Sequence, residues 1–214
     1  MSSRAVMSEV VRDGRLLNGQ QTRQRVLHAA IVCVVRDGYA AASTVRIAEA
    51  AGVSRGALMH HFQSREALVA AAVEHLAQRR GAELARRGQD LPTGPGRVAA
   101  ALDLLWDSFS GDLFKATVEL WTAARTDPGL RARVDEAERR IGRGQIELFG
   151  ELLGPDNTRR PDFEERVQFA VGAMRGLAVL DSFHIDPQAR ARQWDFHRSQ
   201  LVEMFTSNTD GADR

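Results

Sequence analysis

Apolar residues recur at steps of three and four along nearly the whole chain, and this period limits the fold. Val26, Ala29, Ala30, Cys33 and Val34 form one stripe, and Val98, Leu102, Leu105, Trp106 and Phe109 form another. A third runs through Phe163, Val167, Ala170, Val171, Met174, Leu177 and Ala178. That spacing places side chains on one face of an α-helix, whereas a half-buried strand alternates with period two. No stretch alternates for more than about four or five residues, the low end of the roughly 4–8 that mark such a strand. The expectation is an all-α protein of about nine helices. With 43% apolar residues the chain has the material for a true core.

Breakers and caps divide the pattern. Residues 1–20 show little periodicity and are expected to be a flexible N-terminal arm. Thr22 is a candidate N-cap for a helix that Gly38 ends. Thr44 would cap a second helix stopped by Gly52, Ser54 a third, and Ser64 a fourth reaching about Arg87. The run GQDLPTGPG at 88–96 cannot continue a helix. It separates an expected domain at 21–87, three helices plus a connecting helix, from a larger helical domain at 97–206. In the latter, helices are expected at 97–110, 112–126, 128–153, 163–183 and 188–205, with a loop at 154–161 and a frayed end.

Charge follows a similar division. The net charge is +1, yet residues 1–80 carry 11 Arg against 6 Asp/Glu, a balance of +5, and the rest of the chain stands at −4. A basic third on an acidic body suits an anionic partner. Lys115 is the only lysine, so almost all of this charge is guanidinium, the group that matches phosphate geometry. No apolar run approaches the roughly 18 residues that span a bilayer, and no apolar segment with a cleavage site opens the chain. No membrane partner and a cytoplasmic location are therefore expected. Cys33 stands alone and is read as a small core residue.

The segment STVRIAEAAGVSRGALMHHF, residues 43–62, carries the functional signal. Ala48 is small where two crossing helices would meet, and Gly52 tolerates positive φ at the corner. Ile47, Val53, Leu58 and Phe62 are apolar anchors for the second helix. Its other face then carries Ser54, Arg55, Gly56, Met59 and His60. A helix that enters the major groove, about 12 Å wide, cannot be sheathed in bulky side chains. Arg55 can present its fork to guanine O6 and N7 or to a phosphate, His60 can donate to either, and Met59 can meet a thymine methyl. The helix N-terminus adds N–H donors suited to phosphate.

Residues 22–68 resemble the DNA-binding domain of the tetracycline-repressor (TetR/AcrR) family. The matching positions are Gly38-Tyr39, Thr44, Ile47-Ala48, Ala51-Gly52-Val53-Ser54, Gly56, Leu58, His61-Phe62, Arg65 and Leu68. Met59 replaces the family's usual Tyr, and Arg65 its usual Lys. The resemblance implies that Thr44 and Arg46 touch the DNA backbone or a groove edge. It implies also that Arg65 and the N–H groups near Ser64 hold a phosphate. It further implies a homodimer on double-stranded DNA with a palindromic operator, released by an unknown small-molecule effector in the C-terminal domain. Candidate lining residues are Trp106, Phe109, Phe114, Trp121, Met174, Asp181, Phe183 and His184, each equally suited to ordinary core packing. The last two helices look like the dimerising pair, with Phe163, Val167, Val171, Met174, Leu177, Ala178, Trp194, Leu201 and Phe205 at the interface.

Other readings remain at this level. Within the same fold an activator or a DNA-organising factor has the same signature. A protein-binding adaptor would favour an acidic face on 44–62, which here is basic and small. An enzyme is not expected, because there is no nucleophile elbow, HExxH motif or phosphate-binding glycine loop. No cofactor is expected. No metal is expected either, since the adjacent His60 and His61 point about 100° apart on a helix.

Overall fold

The computed structural model describes the backbone of residues 3–181 and 186–207, and side chains over 19–180, 186 and 188–207. Among the described residues are ten α-helices and one short 3-10 turn, and there are no strands. The helices are α1 (Ser3–Ala41), α2 (Thr44–Ala51), α3 (Arg55–His61), α4 (Arg65–Gly88), α5 (Arg97–Trp106), α6 (Asp112–Ala124), α7 (Pro128–Leu153), α8 (Pro155–Thr158), α9 (Phe163–Asp181) and α10 (Pro187–Thr206). The all-α class is as expected. The segment expected to be one helix over 97–110 ends at Trp106 and continues as the 3-10 turn Asp107–Phe109. The expected loop at 154–161 contains α8, which Pro155 starts at its first position.

Two helix starts differ from expectation. The backbone of α1 is helical from Ser3, so Thr22 lies inside the helix and does not cap it. No proline interrupts residues 3–41, and neither Gly14 nor Gly19 is enough to end a helix. The cap of α2 is Ser43, not Thr44. Ser43 is extended (φ −73°, ψ 157°), and its hydroxyl accepts the Arg46 N–H at 3.3 Å.

The chain divides into two compact units. The first holds residues up to His75 together with Lys115–Ala137; the second holds Leu76–Phe114 and Glu138–Arg214. The glycine- and proline-rich loop at 88–96 thus falls inside the second unit and not between the two. The reason is α4, whose C-terminal half buries Leu84 in the second unit.

In the first unit α1 packs on α2 and α3. Val26, Ala30 and Val34 of α1, Ile47 of α2, Leu58 of α3 and Leu68 and Val69 of α4 are all fully buried. Gly38 interrupts α1 at φ 78°, ψ 161°, a conformation open to glycine and costly to other residues. The interruption frees the Tyr39 N–H, which donates to the Glu119 carboxylate at 3.4 Å. The Arg65 guanidinium lies 4.0 Å over the Tyr39 ring and donates to the Ala40 carbonyl.

In the second unit α10 packs against α5 and α9. Phe149 and Phe205 meet in the core, and Leu102, Leu152, Val167, Ala170, Met174 and Leu201 are buried at 2% exposure or less. Trp106 and Trp194 stack with centroids 4.8 Å apart and planes 9° from parallel. The last carbonyls of α10 have no partners within the helix. Arg160 donates to that of Ser207 and Arg166 to that of Met204, which fixes the end of α10.

Candidate nucleic-acid interface

The first unit presents α3 on a buried support. Gly52 closes α2 in the left-handed conformation (φ 63°, ψ 39°) and so turns the chain within a single residue. Ser54 then starts α3, its hydroxyl accepting the Ala57 N–H at 3.1 Å. Ile47 and Leu58 are fully buried, Ala48 is 3% exposed and Phe62 6%. Ile47, Leu58 and Phe62 are anchors read from the sequence, the fourth, Val53, is only half-buried, and together they hold one side of α3 against α1 and α2. On the other side Ser54, Arg55, Gly56, Met59 and His60 are all exposed. A helix of seven residues with only Leu58 fully buried has most of its surface free for a partner.

The flanking positions sit around this face. Thr44 is half-buried at the first turn of α2, and Arg46 keeps half of its side chain exposed. Ser64 caps α4, its hydroxyl accepting the Ala67 N–H at 3.1 Å. Arg65 is more constrained than its sequence position suggests. Its side chain is only 27% exposed because it is stacked on Tyr39. The rings of His60 and His61 stand 67° apart in an edge-to-face pair. Among the described residues no group of three or more His, Cys, Asp or Glu side chains is placed to hold a metal ion. Burial pushes the Cys33 thiol up from its ordinary value, which keeps it a neutral core residue.

Two residues here escaped the sequence reading. Val45 is 46% exposed on α2, an apolar side chain on a face otherwise polar. Asp37, in the last turn of α1 before the break, receives two bonds from Arg36, at 2.9 and 2.8 Å. It also receives Arg46 at 3.4 Å. The Arg36 bonds hold the Asp37 carboxyl below the usual carboxylate range. The only advance signal was an acidic residue in a strongly basic third of the chain.

The candidate effector residues are dispersed. Trp106, Phe109, Phe114 and Met174 are buried in the second unit, and half-buried Trp121 belongs to the first. Phe109 and Phe114 pack edge to face at 6.2 Å, and Trp106 is committed to Trp194. Phe183, His184 and the side chain of Asp181 lie outside the described residues.

The expected dimer stripe needs correction. Phe163, Val167, Val171, Met174, Leu177, Ala178, Trp194, Leu201 and Phe205 are each at most 7% exposed within the single chain. Their periodicity reports burial, and the burial is against their own unit. The apolar surface left on these helices is Phe169 (65% exposed) and Leu180 (56%) on α9, with Phe196 (65%) on α10. Exposed Gly172 and Gly176 lie between the two α9 residues on the same stripe.

Residues 26–72 match the family described as bacterial regulatory proteins, tetR family. An uncharacterized HTH-type transcriptional regulator of Mycobacterium tuberculosis is 34% identical over 161 residues, which cover 75% of this chain and 83% of that one. The HTH-type transcriptional repressor AcnR of Corynebacterium glutamicum is 32% identical over 137 residues, covering 58% and 69%. A crystal structure of a TetR-family regulator from Mesorhizobium loti superposes with a TM-score of 0.66 at 18% identity, over 87% of this chain and 96% of the other. The helix-turn-helix geometry and these likenesses agree: the chain belongs to the TetR family, a family of DNA-binding transcriptional regulators and not of enzymes.

Proposed function

We propose that this regulator is a cytoplasmic homodimeric repressor that holds a palindromic operator and releases it when a small molecule binds its second unit. The observation that carries the reading is the exposed, small and basic face of α3 on fully buried anchors. Arg55 and His60 supply base or phosphate donors, Gly56 lets the helix approach, and Met59 offers an apolar contact. Thr44, Arg46 and the start of α4 at Ser64 and Arg65 serve the flanking backbone. The repressor assignment is supported by the relatives that bear that name. A second copy docked on Phe169, Leu180 and Phe196 supplies the second recognition helix, and half-sites about one helical turn apart follow from two-fold symmetry. The effector acts by favouring a dimer whose recognition helices no longer match that spacing. A 100-fold preference for that state supplies about 2.7 kcal/mol of coupling.

In-vitro selection from a random duplex library tests the reading. The wild type should enrich a near-palindrome, and Arg55→Ala should lose about 10–100-fold in affinity for it, the equivalent of one bidentate base contact. No enrichment, or an Arg55→Ala variant that binds like the wild type, removes the DNA-reading role of α3.

Gly56 gives a separate expectation. A Cβ built there meets only the Ser54 hydroxyl, at 3.9 Å, so the free protein has room for alanine. Gly56→Ala should melt at the same temperature or slightly higher, since alanine is favoured over glycine in a helix by about 0.5–1 kcal/mol. Affinity for the selected duplex should fall about tenfold, because the methyl stands where the groove floor must approach. Fluorescence anisotropy and a thermal melt on the same sample check both halves.

A further inference from the structure

Asp37 is an acidic residue in the basic third of the chain, and it pairs with two arginines. Its Oδ1 accepts Arg36 Nε at 2.9 Å and its Oδ2 accepts an Arg36 terminal nitrogen at 2.8 Å. The same Oδ2 takes Arg46 at 3.4 Å. The carboxylate is only 19% exposed, against 63% for Arg36 and 50% for Arg46. It is therefore the more buried centre of the cluster, and the guanidinium groups are its exposed rim. Arg46 stands in the first turn of α2, where its own N–H is held by Ser43. Its single, longer contact to Asp37 can be exchanged for a phosphate, while Arg36 is gripped by two bonds.

Building on the DNA-binding reading, we propose that Asp37 is a specificity-determining positioning residue that withholds Arg46 from DNA of arbitrary sequence. Non-specific binding is almost wholly a count of neutralised phosphates. A guanidinium already paired to a carboxylate adds little to that count. On the selected site the closer fit set by α3 brings a phosphate near enough to take Arg46 from Asp37. The pair thereby lowers background binding without lowering binding at the operator by the same factor, and the ratio is what a regulator among competing sites depends on.

The test uses the full chain and two duplexes, one of random sequence and one from the selection above, titrated by anisotropy over a range of salt. Asp37→Asn should tighten binding to the random duplex by about three- to tenfold and steepen its log-log salt slope by about 0.9, one added phosphate. Affinity for the selected duplex should change less than twofold, so the specificity ratio falls. Asp37→Glu should restore the wild-type slope. In an Arg46→Gln background, Asp37→Asn should give no tightening. Arg46→Gln alone should weaken the random duplex less than twofold but the selected duplex clearly more, and this arm stands even if Asp37→Asn folds poorly. An unchanged slope in Asp37→Asn overturns the inference, as does tightening that survives in the Arg46→Gln background. Wild-type protein that binds neither duplex overturns the DNA-binding reading itself, a result readily told apart from normal wild-type binding with an inert Asp37.

Discussion

Replacing Phe169 and Phe196 together by glutamate is expected to leave a folded monomer that no longer holds a two-half-site operator. Both rings are 65% exposed in the single chain, so neither supports its own protomer's core. Covering the exposed part of each is worth about 1–2 kcal/mol, and a symmetric pair of chains covers four. The interface then loses about 4–8 kcal/mol before the repulsion of the new carboxylates is counted. That corresponds to a rise of about a thousandfold or more in the dimer dissociation constant. Operator affinity falls with it by at least about a hundredfold, because the second half-site contact becomes an independent event. Sedimentation equilibrium should show a monomer, and circular dichroism an undiminished helix content. Val167→Glu is the contrasting variant. Val167 is 1% exposed, so the buried carboxylate should unfold the second unit and leave no clean monomer. A double glutamate variant that still sediments as a dimer places the interface elsewhere.

That contrast shows where sequence reading reaches its limit. A stripe at steps of three and four says that a face is buried, but not against which partner. For α9 and α10 the stripe belongs to the unit's own core, and the surface proposed for the dimer consists of isolated large apolar residues off the stripe. The helix-turn-helix was legible because each of its constraints is local. Ala48 is small at a helix crossing, Gly52 adopts positive φ, Ser54 caps, and Leu58 anchors, all within eleven residues. Ser43 was passed over for Thr44 because adjacent hydroxyl residues offer the same cap, and only the backbone angles separate them. The Asp37–Arg46 pair depends on the bend at Gly38, and the Glu119 bond to Tyr39 spans 80 positions. Side chains that meet only after the chain has turned leave no periodic trace.

The same limit applies to Trp194, whose truncation should carry a large stability cost in the second unit. Its ring lies flat on Trp106 at 4.8 Å, and its indole N–H donates to Asp103 at 2.8 Å. Arg198 donates to the other oxygen of that carboxylate at 2.9 Å. Trp194 is 7% exposed, so truncation opens a cavity, and Trp194→Ala is expected to cost about 3–5 kcal/mol. Trp194→Phe separates the two contributions. It keeps an aromatic ring on Trp106 and removes the N–H donor together with part of the buried ring. Asp103 remains bonded to Arg198, so the expected cost is about 1–2 kcal/mol. Urea denaturation of the two variants should rank alanine well below phenylalanine, and near-ultraviolet circular dichroism should lose the coupled indole signal in both. Equal costs would mean that the hydrogen bond, and not the stack, joins α10 to α5. A cost under about 1 kcal/mol for alanine would mean that the surrounding side chains close over the space, and Trp106 would then be free to face an effector.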